Sequence, residues 1–257
     1  MRPDVSTFVI NLDASTDRWA TLSEHLSAVG LDFTRIDGVD ETVPADTNYD
    51  IDAARRIMGR EMMPGEIGCA LSHRKALAAF LGSDTQYGLI LEDDARLCDR
   101  FPDALTETLD WLEAAQGRHW KVLHLGNSRL PIATELARFG THRLFAAHYA
   151  PMGAYALLWT RQAAQSFLAR SDSIDAPFDN SLQNWLCRDG GGLAVSPRLA
   201  FVSDARSMID TTEFGDRPKR GGYRRTPLYG LRKQQRLWTN RFWAAAHKMR
   251  QVAGTRP

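Results

Sequence analysis

The fold is decided by one stretch of the chain, Gly88-Leu89-Ile90-Leu91-Glu92-Asp93-Asp94. Its apolar part is short, rich in branched side chains and bounded by charge, which predicts a buried strand over residues 87–91. Three acidic residues follow this strand directly. Because ligands of open α/β sheets bind in the crevice beyond the carboxyl ends of the strands, the sequence places these carboxylates at a predicted binding site.

The acidic cluster Glu92-Asp93-Asp94 predicts a bound divalent cation. Neighbouring carboxylates repel one another, and a cation relieves that repulsion. Carboxylate oxygens suit Mn²⁺ or Mg²⁺, and such an ion would bridge a diphosphate and neutralise charge on a departing nucleotide. The alternative is a solvated acidic turn, which is the commoner explanation of an isolated acidic triplet. The buried strand before this triplet favours the metal site.

Periodicity along the rest of the chain predicts an α/β domain. Residues 7–12 and 33–36 are predicted strands around a helix that Ser15 or Thr16 caps and Gly30 ends. A strand, helix and strand of this length imply a parallel sheet. Residues 41–63 are predicted as a polar loop with one short helix. Further helices are predicted at 65–81, 101–115, 161–170 and 179–187, and further strands at 121–125, 144–148, 155–159 and 193–195.

Other polar residues stand at positions where they can bind a ligand. Asn11 interrupts an apolar strand and Arg18 follows at a helix start, where an amide can bind a ribose and a guanidinium a phosphate. The alternatives are a local turn contact and a surface arginine. Ser72 and His73 lie in a helix weakened by two glycines, which indicates either donor binding or tight packing on the sheet. Asp179 precedes an apolar helix and is either its N-cap, which the pattern favours, or a general base.

Composition narrows the class of protein. The 257 residues include three cysteines at wide spacings, which argue against a disulfide framework and favour a reducing cytosol. The first residues contain no signal-peptide core, and no apolar run is long enough for a membrane span. We find no phosphate-binding glycine motif and no structural-zinc spacing. A cytoplasmic location is therefore expected.

These segments, taken in order, resemble glycosyltransferase family 25, the group of lipopolysaccharide-biosynthesis and collagen galactosyltransferase enzymes. The likeness covers most of residues 5–210. Its specific parts are Val9-Ile10-Asn11-Leu12 with Arg18, Gly65-Glu66-Ile67-Gly68-Cys69 with Leu71-Ser72-His73, and Leu91-Glu92-Asp93-Asp94. Weaker matches are Gly153-Ala154-Tyr155, Pro177 with Asp179, and Ser207 with Ile209.

The resemblance implies a GT-A fold, which is a Rossmann-type mixed, mostly parallel sheet with flanking helices. It also implies a nucleotide-sugar donor, often UDP-galactose, a divalent metal and inversion at the anomeric carbon. On this sequence the metal ligands become Glu92 and Asp94, and the general base becomes Asp179, since inversion needs one group to deprotonate the acceptor. The residues expected to contact substrates are Asn11, Arg18, Ser72, His73, Asp93 and Tyr155.

The end of the chain differs in charge from the rest. Residues 217–257 hold 12 of the 32 basic residues and no acid, so the preceding 216 residues carry 20 bases against 31 acids. Helical spacing puts apolar residues on one face and bases elsewhere, which is typical of a helix lying on an anionic membrane. The alternative is a helix docked on the acidic body. Nonspecific nucleic-acid binding ranks last, because no recognised nucleic-acid module accompanies the tail. The apolar residues are Leu231, Trp238, Phe242, Ala245, Met249 and Val252; the bases are Arg232, Lys233, Arg236, Arg241 and Lys248.

The sequence therefore predicts a metal-dependent inverting glycosyltransferase over residues 1–210 and a basic amphipathic tail over residues 211–257. It would transfer a hexose, with galactose as first choice, from a UDP-sugar to a glycan or lipid-linked glycan, in lipopolysaccharide or other cell-surface glycan synthesis. The expected place is the cytoplasm, with peripheral contact on the inner face of the cytoplasmic membrane. The alternatives are a metal-dependent phospho- or nucleotidyltransferase and a non-catalytic protein that binds a membrane or partner.

Overall fold

The computed structural model describes residues 4–40, 47–115, 119–170, 173–202, 211–212, 215–216 and 225–254. The strands are β1 (Val5–Asn11), β2 (Thr34–Asp37), β3 (Tyr87–Glu92), β4 (Ala95–Leu97), β5 (Val122–His124), β6 (Ala133–Phe139), β7 (His142–Ala147), β8 (Ala156–Thr160), β9 (Gly192–Ser196), β10 (Ala200–Val202), β11 (Thr211–Thr212) and β12 (Gly215–Asp216). The helices are α1 (Thr16–Ala28), α2 (Ile51–Met58), α3 (Pro64–Gly82), α4 (Phe101–Ala114), α5 (Arg161–Ala169), α6 (Phe178–Asp189) and α7 (Tyr229–Gly254).

The main sheet has eight strands in the order β2-β1-β3-β8-β5-β9-β7-β6. β1 pairs in parallel with β2 and β3, and β5 pairs in parallel with β9. The other neighbouring pairs are antiparallel. Within this sheet β7 and β8 therefore run against the remaining strands. The predicted mixed, mostly parallel sheet is confirmed.

Alternation along the buried strands divides the core between the two faces of the sheet. Val9 contributes to the cluster on one face, where it joins Leu22 of α1 and residues of α4. Ile90 contributes to the cluster on the opposite face, with Phe80 of α3 and Trp185 of α6. Helices thus cover both faces, as predicted. Ligands of open α/β sheets bind beyond the carboxyl ends of the strands, and here β1 ends at Asn11 and β3 at Glu92.

Some local predictions were wrong. β6 was not predicted, because it is an edge strand with no fully buried residue and so lacks a clear apolar alternation. The antiparallel pair β4–β10, which lies outside the main sheet, was also missed. Ser15 occupies the N-cap position of α1, but its side chain makes no capping hydrogen bond. The weak match at Ser207 and Ile209 lies outside the described residues, and the division at residue 210 stays a prediction.

The C-terminal helix α7 docks on the body through one face. Ala244 is fully buried, and Asn240 Nδ2 donates to Asn184 Oδ1 of α6 at 2.8 Å. Arg236 donates to the Ile57 carbonyl of α2 at 2.6 Å, and His247 Nε2 contacts the Arg188 carbonyl at 2.9 Å. The prediction that the tail forms a helix is confirmed. Arg236 belongs to the docked face, although the sequence pattern had placed it on the free polar surface.

The opposite face of α7 is the predicted apolar face, and it points into solvent. Trp238 is 64% exposed, Phe242 66% and Met249 67%. Leu231 and Val252 continue the same exposed stripe. The docked alternative therefore describes one face of α7. The apolar stripe has no cover within the described ranges, and its contact with a membrane stays a prediction. None of the helices in those ranges combines the length and apolar character that a membrane span requires.

A buried histidine at the end of β5 makes stability depend on pH. Asn127 N–H donates to His124 Nδ1 at 3.2 Å, so the proton sits on Nε2, which donates to the Gly153 carbonyl at 2.8 Å. A second proton would have to enter between Nδ1 and an N–H group. Burial, which outweighs the two backbone hydrogen bonds, lowers the pKa of His124 to about 4.

The unfolded chain binds a proton at His124 near pH 6.5, whereas the folded chain does not until about pH 4. The stability contributed by neutral His124 is therefore complete above pH 6.5 and is lost as the pH falls towards 4. Between pH 7.5 and 5 the free energy of unfolding should fall by about 2 kcal/mol more than in His124→Gln. Urea denaturation at the two pH values measures this difference. Equal losses in both proteins would contradict it.

Candidate active site

The carboxyl ends of β1 and β3 form the floor of the candidate site. The two strands pair in parallel with Ile10 opposite Glu92. The next residues along each strand, Asn11 and Asp93, therefore come together at the edge of the sheet. Glu92 N–H donates to the Tyr155 carbonyl, just before β8, at 3.0 Å. The acidic cluster thus lies at the edge where the sequence predicts ligand binding.

Asp93 is charge-paired within the protein. Its carboxylate accepts hydrogen bonds from Asn11 Nδ2 at 2.9 Å and from an Arg18 guanidinium nitrogen at 3.2 Å. Asn11 is buried, and it also donates to the Ser15 carbonyl and accepts from Arg35 Nε at 3.1 Å. The structure therefore brings together three predicted site residues from three elements. Asn11 holds Asp93 and so orients the Arg18 side of the site.

Glu92 is held from the opposite side by α3. His73 Nε2 donates to Glu92 Oε1 at 2.9 Å, since a carboxylate can only accept. The buried His73 ring stacks on Phe178, with the ring centroids 4.1 Å apart and the planes 12° apart. This stacking, together with the helix backbone, fixes the imidazole. The contact ties α3 and α6 to the end of β3.

Asp94 carries the least satisfied carboxylate of the cluster. Its Oδ1 is buried and, within the described ranges, has no hydrogen-bond partner. Burial is the first cause that raises the pKa of Asp94, to about 6, and the charges of Glu92 and Asp93 add to it while Arg18 opposes them. A backbone hydrogen bond also lowers the pKa of Asp94, so it is the oxygen Oδ1 alone that stays unsatisfied. A buried oxygen without a hydrogen bond is costly, and a cation would satisfy it.

The residues at this edge fit a hard divalent cation. Asp94 offers an unpartnered oxygen, and Glu92 keeps one oxygen that does not take part in the bond to His73. Oxygen donors are those that Mn²⁺ and Mg²⁺ prefer. Asp93 is less suited, because both of its oxygens accept hydrogen bonds from Asn11 and Arg18. Glu92 and Asp94 therefore each keep an oxygen for a cation, and their role as metal ligands stays a prediction.

Asp179 lies in the first turn of α6 and faces the acidic cluster. The N-cap of α6 is Pro177, so the prediction that Asp179 caps this helix was wrong. Its Oδ1 accepts from Asn180 Nδ2 at 3.0 Å, and the Gly153 N–H also donates to it. Burial is the main cause that raises the pKa of Asp179, and the charge of Glu92 contributes. A raised pKa brings a carboxylate nearer to the range of a general base.

Tyr155 stands on the β8 side of the cluster beside Arg198. Its hydroxyl donates to the Gly126 carbonyl, and the Arg198 side chain also hydrogen-bonds to it. Burial raises the pKa of Tyr155, and the nearby charges of Asp94 and Glu92 act in the same direction against Arg198. An exposed guanidinium therefore lies next to the acidic edge. Arg198 was missed because it lies in a loop with no motif of its own.

Ser72 does not join this group of side chains. It is buried, it accepts from Val39 N–H at 2.8 Å, and its hydroxyl donates to the Gly68 carbonyl at 2.7 Å. Both contacts are with backbone atoms where α3 meets the loop after β2. At Ser72 the structure therefore agrees with the alternative that α3 packs tightly on its neighbours. Contact between Ser72 and the sugar donor stays a prediction.

Cys69 adds a thiol to the site, and the sequence motif alone gave this thiol no role. One ligand atom each from Cys69, His73 and Glu92 lies within 4.8 Å of the others. Cys69 and His73 are four residues apart on α3, so the helix puts them on one face. Glu92 comes from a different element. Sequence spacing could not show this cluster, because its third member arrives only through the tertiary fold.

Known proteins resemble parts of this chain. A "Glycosyltransferase 25 family member" of Anopheles gambiae is 30% identical over 150 residues, which cover 55% of this chain and 25% of that protein. Procollagen galactosyltransferase 2 of Homo sapiens is 30% identical over 73 residues, covering 28% and 12%. The chain thus spans a quarter or less of the length of these relatives.

A solved structure and a family model complete the comparison. The crystal structure of a glycosyltransferase involved in the glycosylation of the major capsid of PBCV-1 is 11% identical, with a TM-score of 0.39, over 80% of this chain and 97% of that one. The model described as glycosyltransferase family 25 (LPS biosynthesis protein) matches residues 4–182, which is well over half of the chain and includes the acidic cluster, His73 and Asp179. This chain belongs to glycosyltransferase family 25.

Proposed function

We propose that this chain is an inverting glycosyltransferase that moves a hexose from a UDP-sugar to the hydroxyl of a glycan acceptor. The observation that carries the proposal is Asp94, a half-buried residue whose Oδ1 is buried without a hydrogen-bond partner in the described ranges, close to Glu92 at the carboxyl edge of the sheet. Such an arrangement is unfavourable in the protein alone and becomes favourable with a cation and a diphosphate. Family membership makes a sugar nucleotide the natural diphosphate.

Glu92 and Asp94 would hold Mn²⁺, or alternatively Mg²⁺, through their carboxylate oxygens. When bound, this ion supplies charge neutralisation for the departing diphosphate. His73 keeps Glu92 in place through its hydrogen bond at 2.9 Å. Arg18, oriented by Asp93, adds a positive charge on the side of β1, where it can bind a donor phosphate.

Asp179 is the proposed general base. It takes the proton of the acceptor hydroxyl, whose oxygen attacks the anomeric carbon as the bond from that carbon to the diphosphate oxygen breaks. UDP leaves with the electron pair, and the configuration at the carbon inverts. The burial of Asp179 and its place on α6, facing the acidic cluster from another element, support this role. Tyr155 would line the substrate pocket on the β8 side, whereas Asn11, which is buried, would act on the donor through Asp93 and Arg18.

Galactose is the first choice of sugar and cell-surface glycans the first choice of acceptor. The name procollagen galactosyltransferase belongs to a human relative, and the family description mentions LPS biosynthesis. Both descriptions support these choices of sugar and acceptor. They remain proposals for this chain, because it matches only a small part of the length of those relatives. A lipid-linked glycan made at the inner face of the cytoplasmic membrane would fit both choices.

Calorimetry and product analysis test this proposal. UDP-galactose should bind saturably in the presence of Mn²⁺, and removal of the metal with EDTA should weaken binding at least tenfold. Transfer should release UDP together with a new glycoside. Release of a phosphorylated or nucleotidylated acceptor would instead support the phospho- or nucleotidyltransferase. Absence of any metal-dependent heat with a panel of UDP-sugars would favour a non-catalytic protein.

We propose that residues 1–210 form the catalytic unit and residues 211–257 a tail attached to it. Within this tail, helix α7 would contact an anionic membrane. The docked face holds the helix against α2 and α6, so the exposed stripe keeps a fixed orientation. Trp238 and Phe242 offer aromatic rings, and Arg241 and Lys248 flank them with positive charge. Aromatic residues beside bases suit an anionic lipid surface.

Substitution of the stripe should release the protein from vesicles. Trp238→Glu removes a large apolar side chain and adds a negative charge, so binding to phosphatidylglycerol vesicles should fall about 100-fold. Thr239→Glu adds the same charge to the neighbouring exposed residue and should cost about fivefold at most. Sedimentation with vesicles measures both. Equal losses would show that charge alone matters and would contradict insertion of the stripe.

A further inference from the structure

Cys69 stands beside the proposed donor site and has no part in the chemistry described above. Its sulfur, a ring nitrogen of His73 and a carboxylate oxygen of Glu92 all lie within 4.8 Å of one another. The group is partly sheltered, with His73 fully buried and the other two half-buried. A thiol, an imidazole and a carboxylate that converge from two elements form a mixed sulfur, nitrogen and oxygen donor set.

Two of the three ligands are held in position before any ion arrives. The ring of His73 is stacked on Phe178, and its Nε2 bonds to Glu92 at 2.9 Å. Cys69 lies one helical turn before His73, on the same face of α3. Because the Zn–S distance is about 2.3 Å and the Zn–N and Zn–O distances about 2.1 Å, ligand atoms around zinc lie about 3.5 Å apart. Small side-chain rotations would bring the three atoms to that spacing.

The donor set differs from the oxygen pair of Glu92 and Asp94. Imidazole and thiolate select zinc, whereas carboxylates select magnesium or manganese, and affinity for the same site is higher for Zn²⁺ than for Mn²⁺. We propose that Cys69, His73 and Glu92 form a Zn²⁺ site that takes Glu92 away from the oxygen pair and thereby inhibits transfer. The inhibition rests on the proposed function, but zinc binding does not.

Binding requires two proton changes. Burial, followed by the charge of Glu92, raises the pKa of the Cys69 thiol, so the proton leaves to solvent only as the sulfur bonds to zinc, whose charge replaces it. His73 frees Nε2 for the ion when its proton moves to Nδ1, the nitrogen that is buried without a hydrogen-bond partner in the described structure. Glu92 exchanges the hydrogen bond from His73 for a bond to zinc. The fourth position of a tetrahedral ion stays open for water.

Cobalt titration tests the site without any sugar donor. Co²⁺ added to the full chain should give a thiolate-to-cobalt charge-transfer absorption that Zn²⁺ then displaces. Cys69→Ser should abolish this absorption and lower the apparent Zn²⁺ affinity at least ~10-fold. Loss of a residue that merely orients a metal ligand already lowers affinity by about that factor, and loss of the ligand itself should cost no less. Cys98→Ser, which removes another partly exposed thiol, should leave both unchanged. No absorption in the wild type, or the same absorption in Cys69→Ser, would overturn the proposal.

A second measurement needs no variant and so covers a Cys69→Ser protein that fails to fold. Saturating Zn²⁺ should slow alkylation of Cys69 by iodoacetamide at least ~10-fold, read residue by residue by mass spectrometry, while Cys98 keeps its rate. An unchanged rate at Cys69 would also refute the site. Inhibition is tested separately: relative to its own zinc-free rate, Cys69→Ser should be at least ~10-fold less sensitive to Zn²⁺ than the wild type. Equal sensitivity would overturn the inhibitory role alone.

Discussion

Asp94→Asn should lower sugar transfer at least about 1,000-fold while leaving the protein folded. The substitution keeps the size of the side chain but removes the charge that would bind the cation, and loss of an interaction of several kcal/mol in the transition state corresponds to that factor. The unfolding midpoint should stay the same or rise. The reason is that a buried oxygen without a partner no longer carries a charge that opposes folding.

The measurement combines UDP release, calorimetric binding of UDP-galactose with Mn²⁺, and thermal unfolding. Asp99→Asn is the matched control, because it makes the same change five residues further on, at an exposed position. It should keep transfer within about twofold of the wild type. Full activity in a folded Asp94→Asn protein would remove the basis of the proposed function.

Gly68→Ala should destabilise the protein by about 3 kcal/mol or more. A Cβ atom at this position would lie 2.4 Å from the Val39 carbonyl oxygen and 2.7 Å from that of Asp40. Both neighbours are backbone atoms, so no side-chain rotation can relieve the overlap. The loop after β2 would have to move away from α3, and the hydrogen bond from Val39 N–H to Ser72 would be strained with it.

Gly82→Ala offers a matched control at the end of the same helix. A Cβ atom at Gly82 would meet nothing within 4 Å. Because alanine also reduces the entropy of the unfolded chain, this variant should be more stable than the wild type by up to about 1 kcal/mol. Denaturant unfolding of both variants gives the two changes. Destabilisation of similar size in both variants, or none at Gly68→Ala, would contradict the close approach of two backbones as the reason for the glycine at 68.

Much of the fold could be predicted because its strands and helices follow from local patterns of apolar residues. The apolar run from 87 to 91 predicts a buried strand, and the helical spacing of Leu105, Leu109 and Leu112 predicts α4. The acidic cluster was placed correctly at the end of β3, since a buried strand cannot contain three charges; the strand ends at the first of them, Glu92. The edge strand β6 could not be found in this way, because exposure on both sides removes the pattern.

The partners of the site residues could not be predicted. The sequence put Asn11, Arg18 and the acidic cluster in the same region. It did not show that Asn11 and Arg18 both hydrogen-bond to Asp93, while one oxygen of Asp94 has no hydrogen-bond partner in the described ranges. The sequence pattern also favoured a cap for Asp179. The structure excludes the cap, because α6 begins one residue earlier than the pattern indicates, and the role of general base stays a proposal.

The sequence by itself determined most of the elements, the sheet class and the position of the acidic cluster at a strand end, because each of these depends on residues close together along the chain. Only the tertiary structure decided which of those side chains meet. His73 reaches Glu92 across 19 positions, and Asn11 reaches Asp93 across 82. Strand order and helix packing create such contacts, and α7 displays one face and buries the other for the same reason. Distances of this kind are set by how the whole chain closes around its core, and no short window of sequence contains them.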